Sequence, residues 1–228
     1  MFPFFYDWTF LMLIPALILA GWAQWKVRSA YKTYSRVPTR ARTSGGEVAA
    51  RILSGNSLDG VRVEAVSGTL TDHYDPRTRV VRLSEQNYRG SSVAAVSIAA
   101  HEVGHALQHG LGYGPLVLRT AMYPMVSFSS TLAFPLFFIG FLASIPFLVD
   151  AGIVLFAVAV LFSVITLPVE FNASRRALVQ LEQGGILAPD ELDGSRKVLQ
   201  AAALTYVAAT TMAVLQLLRL LILRGSRD

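Results

Sequence analysis

His101-Glu102-Val103-Gly104-His105-Ala106-Leu107-Gln108 is the stretch on which the reading of the whole chain turns. It has the form H-E-x-x-H followed by an apolar turn. On an α-helix, residues i and i+4 stand one above the other on a single face, so the two imidazoles can meet one metal ion. Glu102 then lies beside that metal, where its carboxylate can take a proton from water. Ser91-Ser92 is a capping pair for a helix from Val93 to about His109, rich in Ala and Val and without charge until His101-Glu102. Charged groups on so apolar a helix are costly to bury unless they are paired or bind a metal.

The composition around this helix belongs to a membrane protein. The 228 residues are 53% hydrophobic and 15% charged, with a mean hydropathy of +0.47, whereas a soluble domain carries about 25% charged residues. There is no cysteine, so a metal would have to be held by His, Asp or Glu. The net charge is +5, but six basic residues and no acids fall within 26–42, directly behind the first apolar segment. That is where the positive-inside rule and anionic headgroups place them. Nucleic acid is thereby excluded as a partner, and membrane lipids are expected.

Segments 1–25, 116–169 and 201–228 carry the apolar spans. Asp7 and Lys26 enclose 18 uncharged residues with Trp8, Trp22 and Trp25 near the ends, long enough to cross a bilayer with aromatic anchors. The basic residues follow this stretch instead of preceding it, so it reads as a retained anchor with its N-terminus outside. Thr120–Val149 holds 30 uncharged residues, and 19 more lie between Asp150 and Glu170. That suits a helical hairpin turning near Ser144–Asp150, kinked by Pro124 and Pro135. A fourth span fits between Lys197 and Arg219. Its trailing Arg219, Arg224 and Arg227 favour the inside, against the outside position that four spans give the C-terminus.

Between the first spans, 26–115 is expected to hold a basic juxtamembrane helix on the headgroups, a small sheet and the H-E-x-x-H helix. Ser44-Gly45-Gly46-Glu47 starts a short helix through Leu53. Val61, Val63 and Ala65 alternate with Arg62 and Glu64 as a strand, Thr69–Asp72 is expected as a second, and Val80-Val81-Leu83 as a third, after a turn at Asp75-Pro76-Arg77-Thr78. An edge of such a sheet either holds an extended peptide by β-addition or simply covers the helix.

A catalytic zinc needs a third protein ligand. His109 continues the histidine series, but two helical turns put it about 12 Å from His101, too far to share one ion. Glu170 stands where a long apolar segment ends, and an acid at that depth is a functional candidate. On the residues alone it is either the third ligand or a carboxylate paired with Arg175 or Arg176. Segment 170–200 supplies this helix and a loop at Gln183-Gly184-Gly185.

His101–Gln108, together with Asp72-His73-Tyr74-Asp75-Pro76, Val80-Val81-Arg82-Leu83-Ser84 and the Glu170 segment, resembles the YugP-like neutral zinc metallopeptidases of bacterial membranes over roughly residues 20–215. More distantly, H-E-x-x-H, a membrane hairpin and Glu170-Phe171-Asn172-Ala173-Ser174-Arg175-Arg176 are similar to the HtpX and CAAX prenyl protease group. That resemblance implies Glu170 as third zinc ligand. The group carries Asp where this chain has Ser174, so Asp72 or Asp75 is expected to orient a histidine instead.

The expected fold is mainly α: a polytopic membrane protein of about four transmembrane helices with a small α+β zinc-peptidase domain of the H-E-x-x-H, gluzincin-like type. The expected function is a membrane-embedded zinc metalloendopeptidase with one Zn²⁺ per chain on His101, His105 and Glu170. It would use a zinc-activated water with Glu102 as general base, and His73, Arg175 and Tyr206 are candidate donors to the transition state. Membrane proteins or membrane-proximal peptides are the expected substrates, cleaved at the cytoplasmic face of the cell membrane. The rival is a zinc-bound pseudoprotease serving as adaptor or scaffold. A transporter would need ionisable groups along its spans, and Thr120–Val149 and Ala151–Val169 have none.

Overall fold

The computed structural model describes residues 8–226; Met1–Asp7 of the expected first span and Arg227 lie outside them. Among the described residues, four helices are long and apolar enough to cross a membrane. They are α1 (Ile14–Tyr34, entered through a 3-10 turn at Trp8–Leu13), α5 (Gly114–Ala143), α6 (Pro146–Gln183) and α7 (Pro189–Gly225). Between α1 and α5 come α2 (Gly45–Gly55), β1 (Arg62–Val66), β2 (His73–Asp75), β3 (Val80–Ser84), α3 (Glu85–Arg89) and α4 (Val93–Gly110). The chain forms two compact units. A membrane unit takes residues up to Ala23, Leu118–Leu167 and those from Thr205 on; a second unit takes Gln24–Val117 and Pro168–Leu204.

In the membrane unit, α5 runs through Pro124 and Pro135 without a break, and the hairpin turns in two residues, Ser144-Ile145. Ser144 takes a left-handed φ of 56°, and Pro146 opens α6, a position where its missing N–H is no loss. Gly152 lets α5 and α6 touch: a Cβ there would stand 2.7 Å from the Ala133 carbonyl, the small-residue contact by which membrane helices pack. Phe137, Val149, Ile153, Leu220 and Leu223 form the interior, while Phe128, Leu142, Phe147 and Val154 are exposed and apolar. Arg219 and Arg224 are engaged within this unit. Arg219 is buried, donates to Thr9 Oγ1 at 3.1 Å and lies over the Phe10 ring, and Arg224 pairs with Asp150. Thr9, the hairpin turn and the end of α7 therefore share one end of the bundle.

In the second unit, Ser44 and Glu47 close a reciprocal capping box on α2. The sheet has the order β1-β3-β2, with β1 parallel and β2 antiparallel to β3. The expected strand at Thr69–Asp72 is displaced to His73–Asp75. Gly68 (φ 107°) and Leu70 (φ 56°) take left-handed conformations, which cannot continue a pleat, and Thr71 Oγ1 donates to the Ser67 carbonyl. The short α3 was not expected. The basic segment is helical as far as Tyr34, where α1 ends, and the chain then runs alongside the start of α4, with Thr39 N donating to Ser91 O and Val93 N to Val37 O. The core gathers Val48, Ile52, Val81, Leu83, Val96, Val103, Leu107 and Leu181, so α4 is packed on most of its circumference.

Candidate metal centre

His101, Gly104, His105 and Gln108 follow the i, i+3, i+4, i+7 spacing of one helical face, and that face of α4 meets α6 running the other way. Ser174 Oγ lies 3.1 Å from His101 Nδ1. Gly104 backs onto Ala173, whose carbonyl oxygen would stand 2.5 Å from a Cβ at position 104. Glu170 reaches both histidines, and Gln108 bonds to Val169 and Asn172. Gly104, disfavoured by about 1 kcal/mol in a helix interior, is explained by the passage of another backbone, that of α6.

Glu170 Oε2 lies 3.4 Å from His101 Nε2 and 3.6 Å from His105 Nε2. Bonds of about 2.0–2.1 Å in tetrahedral array place ligand atoms about 3.3–3.4 Å apart, so Glu170 stands from each histidine at nearly the separation a single zinc requires. All three ligand atoms lie within 4.8 Å of one another. The glutamate side chain is 3% exposed and the histidines 14% and 12%, leaving the imidazoles the open side. Two neutral imidazoles and one carboxylate are the donor set of His₂Glu zinc sites, and these residues fit that metal.

Glu102 is buried on the adjoining face of α4, close to the Tyr74 backbone, which favours its charged form. Tyr74 is the middle residue of the edge strand β2, so the sheet lies over the Glu102 side of the helix. Burial pushes the Glu102 carboxyl up to about 7; His101 pulls it back, and the charges of Glu170 and Asp72 add to the rise.

Two of the other expected site residues, Asp72 and Asp75, bond within the β2–β3 region and α3. Asp72 accepts from Ser84 N at 2.8 Å and Asn87 Nδ2 at 2.9 Å, and Asn87 in turn accepts from Tyr31 OH. Asp75 accepts from Thr78 Oγ1 and the Arg77 N–H and pairs with Arg82. Its carboxyl is held down at about 2, first by the Thr78 hydroxyl and then by the Arg77 N–H and Arg82 against a burial that raises it. Both acids serve the β2–β3 turn and α3, and the expectation that one of them orients a histidine is corrected: Ser174 and Gln108 occupy those places. His73 is exposed and its Nδ1 donates to the Thr71 carbonyl. Arg175 is exposed on α6 and Tyr206 lies in the membrane unit. Arg176 donates to Asn172 Oδ1 at 2.7 Å. His109 meets Tyr74 OH at 2.7 Å, two turns from His101. Gln108 and Asn172 were missed as site residues; extending the histidine face to i+7 would have reached Gln108.

A multi-pass helical membrane protein with a His-His-Glu donor set beside a buried glutamate is the class these features define. The chain belongs to the family described as "Putative neutral zinc metallopeptidase", which matches over residues 9–225. It is 51% identical over 218 residues to the "Putative membrane protease YugP" of Bacillus subtilis (strain 168), covering 95% of this chain and 97% of that protein. No solved structure matches.

Proposed function

We propose that the chain is a membrane-embedded zinc metalloendopeptidase of the gluzincin type, with one zinc per chain held by His101, His105 and Glu170. The observation that carries the reading is the convergence of those three donors at zinc-like separations, with Glu102 one residue from the first of them. A bound zinc supplies Lewis acidity toward the scissile carbonyl and lowers the pKa of water. Glu102 takes the proton of the attacking water and returns it to the leaving amine. The Tyr74 backbone lies beside the Glu102 carboxylate and favours its charged form. An extended segment of a membrane protein, or of a peptide close to the membrane, enters beside the edge strand β2, where backbone pairing fixes its register.

The basic residues of 26–42 support an N-terminus outside and a metal centre at the cytoplasmic face. Arg219 and Arg224, which argue the other way in the sequence, are buried or paired within the membrane unit and so weigh less than free loop charges. The experiment is zinc analysis of purified protein together with proteomic comparison of cells carrying wild type or Glu102→Gln. Zinc content is unchanged and the cleavage products disappear in Glu102→Gln, a fall of about 10²–10⁴ in rate. Identical cleavage by the two proteins would exclude Glu102 as the base, and a wild type that binds zinc but cleaves nothing would return the chain to the adaptor reading.

A further inference from the structure

We infer that Gln108 is a positioning residue that fixes the tautomer and ring orientation of His105, so that Nε2 presents its lone pair to the donor cluster. The inference rests on the reading of His101, His105 and Glu170 as a zinc site. Gln108 is fully buried, so each of its polar atoms has to be matched inside the protein.

The orientation of its amide is settled by neighbours that have only one role. The Val169 carbonyl oxygen can only accept, so the Gln108 atom 2.8 Å from it is Nε2. Arg176 can only donate, so the Asn172 atom 2.7 Å from its Nε is Oδ1. The Gln108 atom 3.0 Å from that oxygen is again Nε2. Two independent anchors on α6 thus agree. Oε1 is left 3.0 Å from His105 Nδ1, and a carbonyl oxygen at that distance requires a proton on Nδ1. A neutral imidazole protonated at Nδ1 carries its lone pair on Nε2, the atom that faces Glu170.

The alternative tautomer shows why the arrangement matters. With the proton on Nε2, His105 would point an N–H toward the Glu170 carboxylate, 3.6 Å away, and occupy the direction in which a metal has to sit. The Gln108 carbonyl stabilises the open tautomer at the expense of that closed one. Its NH₂ group meanwhile holds the backbone at Val169, the residue before Glu170, so one side chain ties the ring of one ligand to the helix segment carrying another. An amide does this without adding a third negative charge to a region that already buries Glu102 and Glu170.

The test compares the full-length wild type with Gln108→Met and Gln108→Glu in detergent. Three readouts are taken: zinc affinity by chelator competition, ¹⁵N spectra of the His105 ring in metal-free protein, and thermal stability. Methionine matches the shape but offers no acceptor, so zinc affinity falls about ten- to a hundredfold and the ring loses its single Nδ1–H form. Glutamate keeps the acceptor and, when protonated, a donor for Val169; it retains the Nδ1–H form and binds zinc about tenfold or more tighter than Gln108→Met. A packing role alone predicts the reverse order, methionine tolerated and the buried carboxyl not. Wild-type zinc affinity and ring tautomer in Gln108→Met would overturn the inference. If Gln108→Met does not fold, Gln108→Glu decides alone, and loss of zinc from folded protein overturns the inference. A wild type that takes up no zinc would instead refute the metal site itself.

Discussion

Gly104→Ala forces α4 and α6 apart at the point where they deliver the metal ligands. The added Cβ would sit 2.5 Å from the Ala173 carbonyl oxygen, and ordinary contact begins at 3.4 Å. The difference, 3.4 − 2.5, asks for a separation of about 0.9 Å, and the obstacle is backbone, which cannot swing aside as a side chain would. Carried to Glu170, a shift of that size takes the Nε2–Oε2 distances from 3.4 and 3.6 Å to above about 4.2 Å. Two zinc bonds of about 2.1 Å laid end to end span no more than that. Overpacking costs about 1–3 kcal/mol, and replacing a helical glycine by alanine returns about 1 kcal/mol. The net loss is therefore about 0–2 kcal/mol, small enough for the chain to fold. The expected outcome is folded protein with zinc affinity down tenfold or more, since each 1.4 kcal/mol of strain at the site is a factor of about ten. Chelator competition and melting curves with and without zinc read both quantities. Gly114→Ala, where nothing lies within 4 Å, is the control. Zinc affinity within a factor of about two of wild type in Gly104→Ala would refute the claim that this contact sets the ligand spacing.

Glu170→Ala should leave the helices intact and abolish stoichiometric zinc, read by metal analysis of purified protein; normal zinc would send the third ligand elsewhere. Asp75, held at about 2 against an ordinary 3.8, stabilises the fold fully above pH 4 and loses that contribution as the pH falls toward 2. The melting temperature of wild type should therefore exceed that of Asp75→Asn at pH 5 and converge on it near pH 2; a constant gap would show that the charge is not responsible. The chain lacks cysteine, so single cysteines map its orientation. A cysteine replacing Phe147, 76% exposed at the hairpin turn, should react with impermeant maleimide in intact cells, and one replacing Leu111, 68% exposed, only after permeabilisation. The opposite pattern would invert the proposed topology.

The spans, the α4 cap at Ser92 and the His101–His105 face were legible because each is local. Hydropathy over about 20 residues registers a bilayer whatever the partners are, and i, i+4 placement follows from helix geometry alone. The β2 strand was misplaced by a few residues because left-handed backbone at Leu70, a residue that seldom adopts it, gives no compositional signal. Asp72 and Asp75 attracted attention as acids near the motif, yet their partners are the backbone and side chains of their own turn and of α3. The residues that do orient the histidines, Ser174 and Gln108, were hidden by their ordinariness: a serine and a glutamine carry no chemical signature until a buried neighbour needs one.

By itself the sequence determined that two imidazoles share a face on an apolar helix inside a four-span chain, and it nominated Glu170 as their companion. Only the tertiary structure decided that Glu170 arrives at the distance of a shared ion, which ring nitrogen of His105 faces it, and which groups hold it so. Those are contacts between segments as far apart as the 73 residues from His101 to Ser174. Helical periodicity is written in near neighbours. The separation of α4 and α6 depends on how closely two backbones can approach, and here that is set by the missing side chain of Gly104 against the Ala173 carbonyl.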